Sequence, residues 1–184
     1  MTTRRRILVT SALPYANGAI HLGHMLEHVQ TDIFVRFQRL QGHECIYVCA
    51  DDVHGTAVML NAQAAGQTPL DYAAEITKAH IQDFQAFQIS HDCYDSTHSK
   101  DNEQLSAEIY SRLLASGNIE KAAVEQLFDT EKGLFLADRF VVGGCPSCKT
   151  PEQYGDNCDA CGATYAATDL IDPRSKLSGS KPEL

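Results

Sequence analysis

Ile7-Leu8-Val9-Thr10-Ser11-Ala12-Leu13-Pro14-Tyr15-Ala16-Asn17-Gly18-Ala19-Ile20-His21-Leu22-Gly23-His24 is the stretch that decides the fold of this 184-residue chain. Ile7 to Ala12 is a short run led by Ile, Leu and Val, and it predicts a buried strand. Pro14 and Gly18 cannot continue a central strand, so the run ends in a loop. From Leu22 the positions Leu22, Leu26, Val29, Ile33, Phe37 and Leu40 advance by three or four residues. That spacing predicts one apolar helical face, with Gly42 as the stop. Ile46 to Ala50 then predicts a second buried strand. Strand, helix and strand in this order form a βαβ unit, which forces parallel strands and a right-handed crossover.

Further along the chain, Thr68 before Pro69, with Asp71 three positions on, predicts a helix start. Tyr72, Ile76, Ala79, Ile81 or Phe84, and Phe87 continue its face. A further helix is expected from about Lys100 to Ser116, with Leu105, Ile109 and Leu113 on one side and Gly117 as its end. Beyond Gly117 the texture changes to short β-like runs, Leu127-Phe128, Leu134 to Leu136 and Phe140 to Val142, separated by turn residues. The expected organisation is an α/β domain over residues 1–116 and a small β-rich module over 117–184. Asp172 to Leu184 is polar and rich in Pro, Gly and Ser, and reads as a loop or a cut end.

Composition narrows the function classes. With 24 acidic and 15 basic residues, the net charge of -9 gives no global attraction to a polyanion. Any nucleic-acid contact has to be local or lie outside this chain. Met1 to Arg6 is basic like the start of a signal peptide, but Thr10, Ser11, Pro14, Asn17 and Gly18 break up the next stretch before an apolar run of the required length can form. No apolar run approaches membrane-spanning length. The seven cysteines sort into two Cys-x-x-Cys pairs, Cys145 with Cys148 and Cys158 with Cys161, plus Cys45, Cys49 and Cys93, which read as core or near-core thiols. This usage fits a reducing, cytoplasmic protein with a metal site better than a disulfide framework.

Three constellations carry chemistry. His21 and His24 stand three apart at a helix amino terminus, where unpaired backbone N-H groups and the helix dipole favour a phosphate. Two imidazoles add donors that follow charge developing on an attacked phosphorus, and Gly23 leaves room for a nucleotide to approach the backbone. Asp51-Asp52 follows a parallel strand at its carboxyl end, where doubly wound sheets place ligands. Asp52 is expected to pair with a cationic amino group, whereas Asp51 is expected to cap the helix starting near Gly55. His54 has two open readings, substrate contact or cap. Cys145, Cys148, Cys158 and Cys161, in two doubled turns, make the all-sulfur tetrahedral cage that suits one structural Zn²⁺.

Tyr15 to His24 resembles the HIGH signature of class I aminoacyl-tRNA synthetases, and Leu13-Pro14-Tyr15-Ala16-Asn17-Gly18 is similar to the methionyl family in particular. Cys49-Ala50-Asp51-Asp52-Val53-His54-Gly55-Thr56, Ser96-Thr97-His98-Ser99 and the cysteine segment resemble the bacterial members in the same order. The resemblance implies the first half of a Rossmann-like catalytic domain, followed by a zinc knuckle in a connective peptide near the tRNA acceptor end. It implies ATP with Mg²⁺ and methionine as substrates, tRNA(Met) and the remainder of the chain as partners, and no membrane. His21, Gly23 and His24 would bind ATP, the two histidines acting catalytically. Ala12, Leu13, Tyr15 and Asp52 would form the methionine site. The family's lysine-rich KMSKS loop has no counterpart here. Ser175 to Lys181 has its serines and lysines in another order and reads as a surface turn, so the 184 residues alone are expected to be inactive.

Two other classes compete with this reading. A free-standing nucleotidyltransferase could use the same histidine pair, but the Asp52 segment and the knuckle argue against it. A noncatalytic zinc-binding RNA module is opposed by the acidic balance and the βαβ unit. A dinucleotide oxidoreductase is disfavoured because no Gly-x-Gly-x-x-Gly follows the first strand.

Overall fold

The computed structural model describes residues 3–184, so Met1 and Thr2 of the basic start lie outside it. The chain forms two compact units, 1–118 and 119–184. In the first, β1 (Arg6–Thr10), β2 (Glu44–Asp51) and β3 (Cys93–Ser96) pair in the order β1-β2-β3. Both pairings are parallel, Ile7 standing against Cys45 and Val48 against Cys93. Helix α1 (Leu22–Leu40) connects β1 to β2; α2 (Thr56–Ala65) and α3 (Pro69–Ala86) connect β2 to β3; α4 (Lys100–Ala115) comes after β3. Taken from β3 to β1, this is the strand order of one half of a doubly wound nucleotide-binding sheet. β1 is the edge at which the other half of such a sheet would add its strands.

Helix α1 departs from its expected orientation. Leu22, Leu26, Ile33, Phe37 and Leu40 are exposed, with Leu22 at 87% and Leu40 at 84%. The buried stripe is Met25, His28, Asp32 and Val35. Two polar residues face inward because the interior satisfies them. Asp32 accepts from Ser90 N-H at 2.8 Å and from Arg36 at 2.5 Å, and His28 meets Ser11 and Tyr47. Together with Cys45, Tyr47, Phe84 and Ile89, Met25 and Val35 make the main core, against which Ile7, Val9 and Val29 pack. On the opposite face of the sheet Leu8 is 69% exposed and Ile46 is exposed beside it.

Thr68 caps α3 by accepting from Asp71 N-H, and Pro69 opens the helix. Its buried positions are Ala73, His80 and Phe84, with Ile76 partly buried; Ala79 and Phe87 are exposed. Helix α4 buries none of its residues.

The second unit holds an antiparallel pair, β4 (Phe128–Asp129) with β5 (Leu134–Phe135), and a three-stranded antiparallel sheet ordered β7-β6-β8. Its strands are β6 (Val141–Gly144), β7 (Gln153–Tyr154) and β8 (Ile171–Ser175). Leu127, Leu136, Val141 and Leu170 form its core. The polar tail is therefore built in, not a loose end. β8 pairs with β6, and Glu183 bridges to Phe128. Nor is Ser175 to Ser180 a mere surface turn. Ser175 is buried, and both Ser175 and Ser178 donate to the buried carboxylate of Asp129, at 2.5 and 2.7 Å. Those hydroxyl bonds outweigh the effect of burial and hold Asp129 down at about 2.

Candidate functional site

The loop after β1 is fastened to the end of β2. Ala16 N-H donates to Asp52 O and Asp52 N-H to Pro14 O, each at 2.8 Å, which makes Tyr15 and Asp52 neighbours in a parallel bridge. Both segments follow carboxyl ends of adjacent parallel strands, where this architecture opens its ligand crevice. The Asp52 side chain is exposed there, Ala12 and Leu13 are exposed, and Tyr15 is half-buried. Ala12 N-H is held by Glu27 Oε1 at 2.6 Å. Gly55, at φ +110°, has no room for a side chain, since a Cβ would stand 2.7 Å from the Tyr15 hydroxyl oxygen. It caps α2 without any side-chain bond.

His21 is the N-cap of α1. Its Nδ1 accepts from Gly23 N-H at 3.1 Å and His24 N-H at 3.4 Å, while His24 Nδ1 accepts from His21 N-H at 3.5 Å. The two rings stack 3.8 Å apart. The amides of Gly23 and His24 are thus already bonded, contrary to the unpaired donors expected from sequence. Because each Nδ1 accepts, each neutral ring carries its proton on Nε2. Capping and anion recognition are therefore compatible. The inner nitrogens hold the helix start and the outer N-H groups stay free to donate. Burial, then the neighbouring His21, pushes His24 below the ordinary histidine value. Gly23 is required by the stack, since a Cβ there would lie 2.9 Å from the His21 ring.

Asp51 does not cap α2. It is fully buried, accepting from His80 Nδ1 at 2.8 Å and from the Tyr94 hydroxyl at 2.6 Å through one oxygen. Its Oδ2 has no partner among the described residues. His80 also donates from Nε2 to Gly18 O at 2.8 Å, and so ties α3 to the loop that leads into His21. Burial opposes charging this ring, but the bonds to Asp51 and Gly18 prevail and raise its pKa. No spacing motif marks His80 or Tyr94 in the sequence. Their only trace there is the second acid beside Asp52. His54 is exposed and lines an apolar pocket with Val53, Leu70, Ala73 and His98; it caps nothing. Thr97, from the segment after β3, accepts Val53 N-H at 3.0 Å, and Ser99 caps α4.

In the second unit, Cys145, Cys148, Cys158 and Cys161 come together, all four sulfurs within 4.8 Å. Cys145 Sγ lies 3.9 Å from Cys161 Sγ, and Cys148 Sγ lies 3.6 Å from Cys158 Sγ. Sulfurs on a tetrahedral zinc at about 2.3 Å stand about 3.8 Å apart, so the donor set fits that ion. The two turns match each other. Lys149 N-H bonds Cys145 O and Gly162 N-H bonds Cys158 O, and Lys149 and Gly162 both have positive φ, 63° and 72°. Of the scattered thiols, Cys45 and Cys49 are buried but Cys93 is exposed, a correction to its expected core placement.

The chain belongs to the class I tRNA synthetases. The model of tRNA synthetases class I (M) matches residues 7–184. Among curated proteins, the chain is 61% identical over 180 residues to the methionine--tRNA ligase of Neisseria gonorrhoeae, covering 98% of this chain and 26% of that protein. It therefore spans about a quarter of that relative's length. Among solved structures it is similar to Mycobacterium tuberculosis methionyl-tRNA synthetase in complex with methionyl-adenylate, at 25% identity and TM-score 0.67 over 83% of this chain and 31% of that one. A second structure of that enzyme, at 22% identity and TM-score 0.66, covers 98% of this chain and 30% of that one, and supports the fold.

Proposed function

We propose that this chain supplies one wall of the catalytic site of a methionine–tRNA ligase, the wall that holds the ATP phosphates and the methionine ammonium. The observation that carries the reading is the stacked His21–His24 cap beside the Tyr15–Asp52 bridge. In the reaction, the methionine carboxylate attacks the α-phosphorus of ATP, pyrophosphate leaves, and the methionyl group passes to a ribose hydroxyl of tRNA(Met). Such a transfer requires positioning and charge stabilisation more than covalent help.

His21 and His24 serve it through their outer Nε2-H groups, which donate to phosphate oxygens as charge builds. Gly23 keeps the rings stacked. Asp52 receives the substrate ammonium, and Ala12, Leu13 and Tyr15 shape the side-chain pocket. ATP enters with Mg²⁺. The four cysteines hold one zinc, which supplies a structural clamp and no open coordination position. We assign residues 1–116 to the catalytic half-domain and 117–184 to a connective peptide near the acceptor end, in a cytoplasmic enzyme.

The test is amino-acid-dependent ATP–pyrophosphate exchange by this chain joined to its natural continuation. Exchange that requires methionine, and falls at least ~100-fold with His21→Ala and His24→Ala together, is expected from loss of donors to developing charge. Exchange supported by another amino acid instead would overturn the assignment.

A further inference from the structure

Beneath the proposed methionine wall, a second group of metal-binding donors converges inside the first unit, well apart in sequence from the four-cysteine turns. His28 of α1, Cys49 of β2 and His91 of the loop before β3 offer ligand atoms within 4.8 Å of one another. His28 and Cys49 are buried and His91 half-buried, so His91 is the donor nearest solvent. Tyr47 and Phe84 wall the cluster, their rings 4.4 and 5.3 Å from that of His91, and His28 packs on Phe84 at 4.2 Å.

The spacing is that of ligands, not only of hydrogen bonds. His28 Nδ1 and His91 Nε2 lie 3.3 Å apart, and nitrogens about 2.0–2.1 Å from a tetrahedral zinc stand about 3.3–3.4 Å apart. Without an ion the arrangement is frustrated. His28 Nδ1 lies within 3.2, 3.3 and 3.4 Å of Tyr47, His91 and Ser11, three neighbours for one lone pair or one hydrogen. With an ion the bonds sort themselves. Both imidazoles give a lone pair to the metal, the Cys49 thiol gives up its proton to solvent, and Ser11 Oγ, 3.4 Å from Cys49 Sγ, donates to the thiolate. The Tyr47 hydroxyl, 3.0 Å from Ser11 Oγ, donates to Ser11 in turn.

We propose that His28, Cys49 and His91 form a second zinc site, of His₂Cys type, with its fourth position open to water. The site pins α1 to the end of β2 and to the loop before β3. It also touches the catalytic wall, since Cys49 Sγ is 3.8 Å from Ala12 O.

The test is zinc content and zinc-edge X-ray absorption of the 184-residue chain. Cys49→Ser and His91→Gln should each remove one equivalent of zinc. A chain with Cys148→Ser and Cys161→Ser should keep that equivalent, with two imidazole nitrogens and one sulfur around it. The absorption measurement on the unaltered chain needs no variant to fold and should show imidazole beside sulfur. An all-sulfur shell, a zinc content unchanged by Cys49→Ser, or an imidazole signal that survives His91→Gln would overturn the proposal. None of these outcomes depends on aminoacylation, so they leave the functional reading to its own test.

Discussion

Asp51 and His80 form a buried ion pair, 2.8 Å between Oδ1 and Nδ1, with both side chains at 0% exposure. His80 donates from both ring nitrogens, since its other partner is the Gly18 carbonyl, and a ring that donates twice is the imidazolium. Its pKa is raised in the folded state. The stabilisation is therefore complete below the ordinary histidine value, about 6.5, and is lost as pH rises through the raised value. The melting temperature of the first unit should fall above neutral pH. His28, driven down to about 4 by burial and then by His91, has the opposite sign and acts only as pH falls below its ordinary value. Asp51→Asn should cost about 3–5 kcal/mol and flatten the decline on the alkaline side. Thermal melts at a series of pH values check this; a variant that keeps the alkaline slope would mean that another group carries it.

The four-cysteine site predicts a local effect. Cys158→Ala should loosen residues from about 142 to 165 while the parallel sheet stays protected, because the two units have separate cores. Hydrogen exchange resolves the two regions. Equal deprotection of both would show that the metal supports the whole chain.

Distance along the chain separates the features that spacing reveals from those it hides. The βαβ unit, the histidine pair and the doubled Cys-x-x-Cys are local patterns, and each can be read from the sequence. Which stripe of α1 meets the sheet cannot. Hydrophobic periodicity selects Leu22 to Leu40, but His28 and Asp32 are buried because Tyr47, Ser11 and Ser90 await them from distant segments. Asp51 escapes a local reading for the same reason, its partners lying 29 and 43 residues away. The polar tail gives no hydrophobic signal, because the acceptor it satisfies is the buried Asp129 carboxylate.

The twin knuckle turns differ in the residue that takes the left-handed conformation, Lys149 in one and Gly162 in the other. A left-handed conformation costs a non-glycine residue roughly 1–2 kcal/mol, offset in part by the greater chain entropy that glycine loses. Lys149→Gly should therefore raise the melting temperature of the second unit modestly, and Gly162→Ala should lower it. Calorimetry of the zinc-loaded chain decides; a lower transition for Lys149→Gly would mean that the lysine side chain makes a compensating contact.

Asp52→Ala, placed in the complete enzyme, should weaken methionine activation without unfolding the protein. The side chain is exposed, and the bonds that fix this position, to Pro14 and Ala16, belong to the main chain. Loss of one desolvated charge pair is worth about 2–5 kcal/mol. Exchange kinetics at saturating ATP, with circular dichroism as the control for folding, give the answer. Normal activation by the variant would remove Asp52 from the site.

The 184-residue chain by itself should make no methionyl-adenylate at a useful rate. Its sheet ends at β1, whose Leu8 is 69% exposed, and Leu22, Leu26, Ile33, Phe37 and Leu40 of α1 are exposed as well. A doubly wound nucleotide site draws on both halves of the sheet, and only one half is folded here. The histidine pair can approach the phosphates from one side. No lysine-rich KMSKS clamp occurs among the described residues, and the nearest string, Ser175 to Lys181, has the hydroxyls of Ser175 and Ser178 committed to Asp129. Losing such a clamp costs about 10²–10³ in rate, and losing half the pocket costs more. An unpaired strand edge beside exposed apolar side chains also favours association between copies, so the sedimentation coefficient should rise with concentration. Exchange activity within about tenfold of a complete synthetase would instead identify a compact, self-sufficient adenylyltransferase.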